Sequence, residues 1–136
     1  MKPTVTVPAC ADFVRLAAQF VVQTSRYLRI ASADAPLFEV AVVEALANAV
    51  KHGSRGREDA VVTCEVERIG GRLTIRIYDE GDGFEPRSIV PVDPAAVDVL
   101  ALSESGYGVP IMRRVFEDVD GRREGGRFCL EMKMAA

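Results

Sequence analysis

The segment PLFEVAVVEALANAVKHG (36–53) is apolar on nearly every side when wound as an α-helix. A helix of that kind needs protein around most of its circumference. At 136 residues the chain fits one domain, 1–136, with a core large enough to supply that cover. Two polar residues break the apolar surface. Glu44 and Asn48 are four apart and share a face, and Lys51 and His52 continue the stripe by another turn, whereas Glu39 lies elsewhere on the wheel. The stripe reads either as a solvent-facing edge or as a carboxylate and an amide displayed from a buried helix. Asp34 is placed to cap the helix start near Ala35, and Gly53 to stop it after His52.

The flanking segments suggest what covers this helix. Thr4 to Val7 alternate as a short strand, and an apolar-periodic run from Cys10 to about Tyr27 predicts a first helix. Val61–Glu67 and Leu73–Tyr78 are rich in β-branched residues and are joined by RIGGR, whose Gly70-Gly71 pair suits a tight hairpin. A long glycine-bounded stretch follows, from Asp79 to Gly108, with at most one short helical piece near Ala95–Leu102. Segments of this length inside a small domain are usually functional lids or disordered. Pro110 then opens a helix, IMRRVFEDV, and VDGRREGGRFCLEMKMA closes the chain as a hairpin whose last strand alternates Phe128, Leu130, Met132 and Met134. The order predicts an α+β fold with an antiparallel sheet covered on one face by helices.

Charge and cysteine content exclude several functions. A formal net charge of −3 leaves no basic excess for a phosphate backbone or an anionic membrane, so neither is expected as a partner. Three cysteines without CxxC spacing and one histidine support neither a disulfide framework nor a zinc site. No run is long and apolar enough to span a bilayer, and the N-terminus lacks a secretory h-region, which makes the cytoplasm the expected compartment.

Two glycine motifs accompany the helical stripe. In Tyr78-Asp79-Glu80-Gly81-Asp82-Gly83-Phe84, a strand is expected to end at a turn where missing Cβ atoms let a ligand approach the backbone, with Asp79 as the first polar residue beyond it. The same letters fit a plain acidic turn. A calcium loop is excluded, because Ile89 and Val90 fall where its bidentate glutamate belongs. In Ser105-Gly106-Tyr107-Gly108-Val109-Pro110, a glycine turn feeds a helix start, which favours phosphate, although a flexible hinge reads identically.

Taken in order, Glu-x-x-x-Asn on a helix, Asp-x-Gly-x-Gly after a strand, a long lid and Gly-x-Gly opening a helix resemble the ATPase superfamily shared by gyrase, the ninety-kilodalton heat-shock chaperones, sensor histidine kinases and mismatch-repair proteins. Within it, EALANAVKHG, DEGDGF and the short glycine-pair hairpin look most like the bacterial anti-sigma-factor serine/threonine kinases. The resemblance implies a Bergerat-type two-layer sandwich with a mixed, mostly antiparallel sheet. It implies Glu44 as the base for the attacking hydroxyl, and Asn48 as a ligand of Mg²⁺. Asp79 would take the adenine amino hydrogen bond, in a turn where Gly81 and Gly83 give room. Gly106, Tyr107 and Gly108 would border the phosphates of ATP. His52 matches a family position and reads as structural. The implied partners are a sigma factor and an anti-anti-sigma antagonist, and the implied assembly is a homodimer.

This chain departs from the pattern in two places. Tyr107 stands between the glycines of the second loop where relatives commonly have arginine, and Arg127 follows Gly125-Gly126 where they commonly have a threonine that helps hold adenine. Two readings follow: a kinase that phosphorylates the antagonist, or a regulatory binding module that uses nucleotide only as a switch or not at all. A sensor histidine kinase is disfavoured, because His52 lies inside the nucleotide motif and no other histidine is present.

Overall fold

The computed structural model describes residues 1–53, 57–84, 86 and 108–136. Five strands, β1 (Thr4–Pro8), β2 (Val61–Ile69), β3 (Arg72–Asp79), β4 (Asp118–Glu124) and β5 (Arg127–Ala135), form one sheet in the order β1-β2-β3-β5-β4. Each neighbouring pair is antiparallel. Three helices, α1 (Val14–Tyr27), α2 (Pro36–Gly53) and α3 (Val109–Val115), accompany it. None of the described helices is long and apolar enough to cross a membrane.

Alternation along the strands decides which residues meet the helices. Val62, Cys64 and Val66 of β2, Leu73, Ile75 and Ile77 of β3, and Phe128, Leu130, Met132 and Met134 of β5 join one core with the apolar sides of the helices. α2 packs between α1 and α3 and over β3, which explains its nearly uniform apolarity. Small residues facing its neighbours, Ala41, Ala45 and Ala49, keep those approaches close.

The opposite face of the sheet carries charge. Arg76 donates from Nη1 to Glu65 and Glu67, each at 2.9 Å, and from Nε to Glu131 at 2.8 Å. Arg122 and Lys133 also approach Glu131, at 3.3 and 3.4 Å. One guanidinium thus holds three carboxylates whose side chains are only 11–18% exposed. Burial alone would raise the Glu131 pKa, but the Arg76 hydrogen bond and the charges of Arg122, Lys133 and Arg76 bring it below the usual glutamate value of 4.5. Stability from this group is therefore complete above that value and is lost as pH falls through the lowered folded pKa. Arg76→Met is expected to destabilise the fold by about 1–3 kcal/mol at pH 7, since Glu65 and Glu67 lose the arginine between them and Glu131 keeps only Arg122 and Lys133. In urea titrations the gap to wild type should narrow at pH 3; a gap independent of pH would contradict this account.

Several boundaries differ from the sequence expectation. α2 begins at Pro36, whose missing N–H is harmless there, and the Phe38 amide donates to the Ala35 carbonyl at 3.0 Å. Asp34 instead closes a 3-10 turn, with its carboxylate 2.9 Å from Arg26. Gly53 is the last helical residue rather than the stop beyond it. The helix opened by Pro110 ends at Val115: Phe116 takes extended backbone, is buried beside Phe38 with ring centres 5.8 Å apart, and turns the chain into β4. The helical piece expected near Ala95–Leu102 lies outside the described residues. Both hairpins form where glycine pairs place them. Gly125 and Gly126 both have positive φ, as a type I′ turn requires.

Candidate functional site

α2 meets one glycine turn at its middle and the other at its carboxyl end. Glu44 faces the start of α3, where Gly108 adopts φ +67°; a Cβ there would stand 2.9 Å from both Cβ and Oε2 of Glu44. At the carboxyl end of α2 a Cβ on Gly53 would lie 2.5 Å from the Asp79 Cβ, and one on Gly81 would lie 2.4 Å from the His52 carbonyl oxygen. Only glycine permits these three approaches. Asn48 lies one helical turn from Glu44 and one from His52, and is 8% exposed. Glu44 to Gly53 corresponds to roughly 14 Å of helix axis at 1.5 Å per residue.

Asp79 is the last residue of β3, paired with Phe128, and not the first residue past the strand. The residue is 7% exposed, and its carboxylate accepts a 2.8 Å hydrogen bond from the Gly81 amide through Oδ1. Burial pushes its pKa up, and the Gly81 amide and the Arg123 charge only partly offset this. Burial likewise raises the half-buried Glu44 carboxyl above the ordinary value. His52 is shifted down by desolvation and by the neighbouring Lys51 charge. Gly83, at φ +78°, stands over the Phe128 ring, so closely that a Cβ would fall 2.1 Å from Cδ1. Gly106 and Tyr107 lie outside the described residues.

Arg127 turns away from the first glycine turn. Its guanidinium lies 4.2 Å from the centroid of the Tyr78 ring, and Tyr78 belongs to the face of β3 turned away from the helices. Phe128 of the closing hairpin does reach the first glycine turn, and its ring also packs 5.5 Å from that of Phe84. The hydrophobic alternation from Phe128 to Met134 already carried this parity. Arg123 was missed altogether. It lies opposite Phe128 in β4 and donates to the carbonyls of Gly81 and, at 3.1 Å, Gly126. The available signal was Gly121 two residues earlier, since a glycine inside a strand marks a close approach: here a Cβ would meet the Phe128 ring at 2.5 Å.

Comparison with known proteins gives the family and the fold. A family profile described as a histidine kinase-like ATPase domain matches residues 7–134. An anti-sigma F factor of Clostridium botulinum (strain Eklund 17B / Type B) is 35% identical over 92 residues, covering 65% of this chain and 62% of that protein. The match thus spans less than two thirds of that relative. A serine-protein kinase RsbW of Listeria monocytogenes serovar 1/2a is 28% identical over 125 residues, covering 87% of this chain and 77% of the relative. Among solved structures, the SiaB-SiaC complex from Pseudomonas aeruginosa superposes with a TM-score of 0.65 at 14% identity, over 97% of this chain and 88% of the other. The catalytic domain of the histidine kinase ThkA gives 0.52 at 10% identity, over 98% and 97%. At such identities the two structures speak for the fold.

Proposed function

Because the chain belongs to the histidine kinase-like ATPase domain family, we propose that it is an ATP-binding anti-sigma factor and protein serine/threonine kinase. In this reading it phosphorylates a small anti-anti-sigma antagonist and, when the antagonist is absent, sequesters a sigma factor. The observation that carries the proposal is that α2 touches Asp79 and Gly81 at its carboxyl end and Gly108 at its middle. One rigid element thereby spaces a base-binding carboxylate from a phosphate-binding turn, as an extended nucleoside triphosphate requires. The named relatives support the same reading.

The residues fit ATP with Mg²⁺. Gly108 leaves bare the space beside Glu44 that a side chain would fill, and Asn48 offers a neutral oxygen of the kind a hard cation accepts. Mg²⁺, held by Asn48 and the phosphates, would neutralise charge during transfer. Gly108, with Gly106 and Tyr107 before it, borders the phosphates. Asp79 accepts the adenine amino hydrogen bond in the turn shaped by Gly81 and Gly83. Glu44 takes the proton of the antagonist's hydroxyl as that oxygen bonds to the γ-phosphorus and the bond to ADP breaks. The protein acts in the cytoplasm as a homodimer, without direct contact to nucleic acid or membrane. Incubation with γ-labelled ATP, Mg²⁺ and candidate antagonists should label a serine or threonine. ATP binding without labelling of any antagonist would leave the regulatory module, and no binding at millimolar ATP would remove the nucleotide reading.

A second test concerns Asp79. Its folded pKa is raised, so the ionised form is disfavoured by folding, and stability from this group is present at low pH and lost as pH rises through the folded value. Asp79→Asn should therefore raise Tm at pH 7 while weakening ATP about 10- to 100-fold, the loss of a charge-assisted hydrogen bond. Calorimetry and thermal melts on one preparation check both signs. A variant that melts lower and binds ATP normally would contradict the assignment.

A further inference from the structure

We propose that Arg123 is a positioning residue that sets the Asp79 carboxylate for a 6-amino purine, so that base selectivity depends on a side chain from β4. The inference rests on the nucleotide reading above. Asp79 pairs with Phe128, and Phe128 pairs with Arg123, so the three side chains form one row across β3, β5 and β4 on the helix-facing side. From there the guanidinium reaches back over the row. Nη1 donates to the Gly81 carbonyl and Nη2 to the Gly126 carbonyl. The Gly81 amide in turn donates to Asp79 Oδ1 at 2.8 Å. One planar fork thus ties the first glycine turn to the closing hairpin, and the tied residue holds the carboxylate. Arginine suits this bridge because its donors sit in a fixed plane.

Among the described residues the turn has other supports: Arg57 pairs with Glu80 on its outer side, and two uncharged contacts hold it beneath. The Phe128 ring fills the space beneath Gly83 and Gly121, and the carboxyl end of α2 closes on Gly81 through the His52 carbonyl. These fix the turn sterically. Arg123 supplies what they lack, a positive charge that acts on Asp79. A 6-amino purine offers a donor to that carboxylate, whereas a 6-keto purine offers an acceptor and is repelled. Weakening the bridge should therefore blur the distinction between the two bases and spare the contribution of the triphosphate, which is bound at the middle of α2 beside Glu44 and Gly108.

The test compares ATP with ITP by calorimetry in the wild type, Arg123→Met and Arg123→Lys. Wild type should prefer ATP by about tenfold or more, the worth of one charge-assisted hydrogen bond. In Arg123→Met the preference should fall to within about threefold, with ITP affinity changed by less than about twofold. Arg123→Lys, which keeps the charge but not the fork, should fall between them. An Arg123→Met protein that keeps the full preference, or that loses ATP and ITP affinity in equal proportion, would overturn the inference; the second result is what a purely structural arginine gives. Should Arg123→Met not fold, an undiminished preference in Arg123→Lys overturns it equally. Failure of the underlying reading looks different, because wild type would then bind ATP and ITP alike or bind neither.

Discussion

Replacing Glu44 by alanine is expected to abolish phosphoryl transfer, by a factor of about a thousand, while ATP affinity stays within about threefold. Glu44 is half-buried on α2 and lies against Gly108, where the turn leading into α3 has no Cβ to fill the space beside the carboxylate. Burial raises its pKa above 4.5. A base shifted toward neutrality is better matched to taking a proton from a hydroxyl, and a positioned base contributes roughly 10²- to 10⁴-fold. Binding is affected little, because the base acts on the second substrate and not on the nucleotide. Glu44→Gln separates chemistry from packing, since it keeps volume and removes basicity; it should lose as much transfer as the alanine variant. The sign of the pH dependence follows from the same shift. Wild-type transfer should rise with pH through a value above 4.5, as the carboxylate form appears, and that limb should be missing in Glu44→Gln. Single-turnover assays with labelled ATP measure all three; equal transfer by wild type and either variant would sink the role of Glu44.

How much of this was readable from the chain depends on whether a feature is local. α2 was legible because its apolarity and its Glu44-Asn48 interruption are properties of one helix. Both hairpins were legible because Gly70-Gly71 and Gly125-Gly126 announce themselves. The end of α3 was not. MRRVFEDV suits a helix throughout, and only the burial of Phe116 beside Phe38, a contact across 78 positions, pulls it into extended backbone. Asp34 has the right chemistry for a cap, but Arg26, eight positions earlier in the last turn of α1, takes its carboxylate. The site divided along the same line. Glu44, Asn48, Asp79 and the glycines stand in short patterns whose chemistry can be named from spacing. Arg123 and Phe128 reach the first glycine turn only through the register of β3, β5 and β4, which no window of sequence contains. The outward direction of Arg127 follows from its alternation with Phe128 in β5.

Gly81→Ala should do more harm than any other single methyl added to the first glycine turn's approach to α2. Gly81 does not have positive φ, so the substitution meets no intrinsic backbone penalty. Its effect is steric. The new Cβ would lie 2.4 Å from the His52 carbonyl oxygen, 2.8 Å from the Gly53 Cα and 3.1 Å from Asp79 Oδ1. The two nearest atoms belong to backbone and cannot rotate away, unlike the Phe128 ring beneath Gly83. Relief requires either that the last turn of α2 unwind or that the glycine turn lift off it. Lifting strains the Gly81 amide to Asp79 bond and the Arg123 to Gly81 bond together. Overpacking of this kind costs roughly 2–4 kcal/mol. ATP affinity should fall by more than about tenfold even in the fraction that remains folded, because Asp79 loses the donor that orients it. Gly71 supplies the control. It too lacks positive φ, but a Cβ there meets nothing within 4 Å, so Gly71→Ala should move stability by less than about 0.5 kcal/mol and leave ATP binding unchanged. Urea titration and calorimetry on the pair decide the matter: if both variants behave alike, α2 does not grip the turn, and its close approach to Gly81 plays no part in holding the nucleotide.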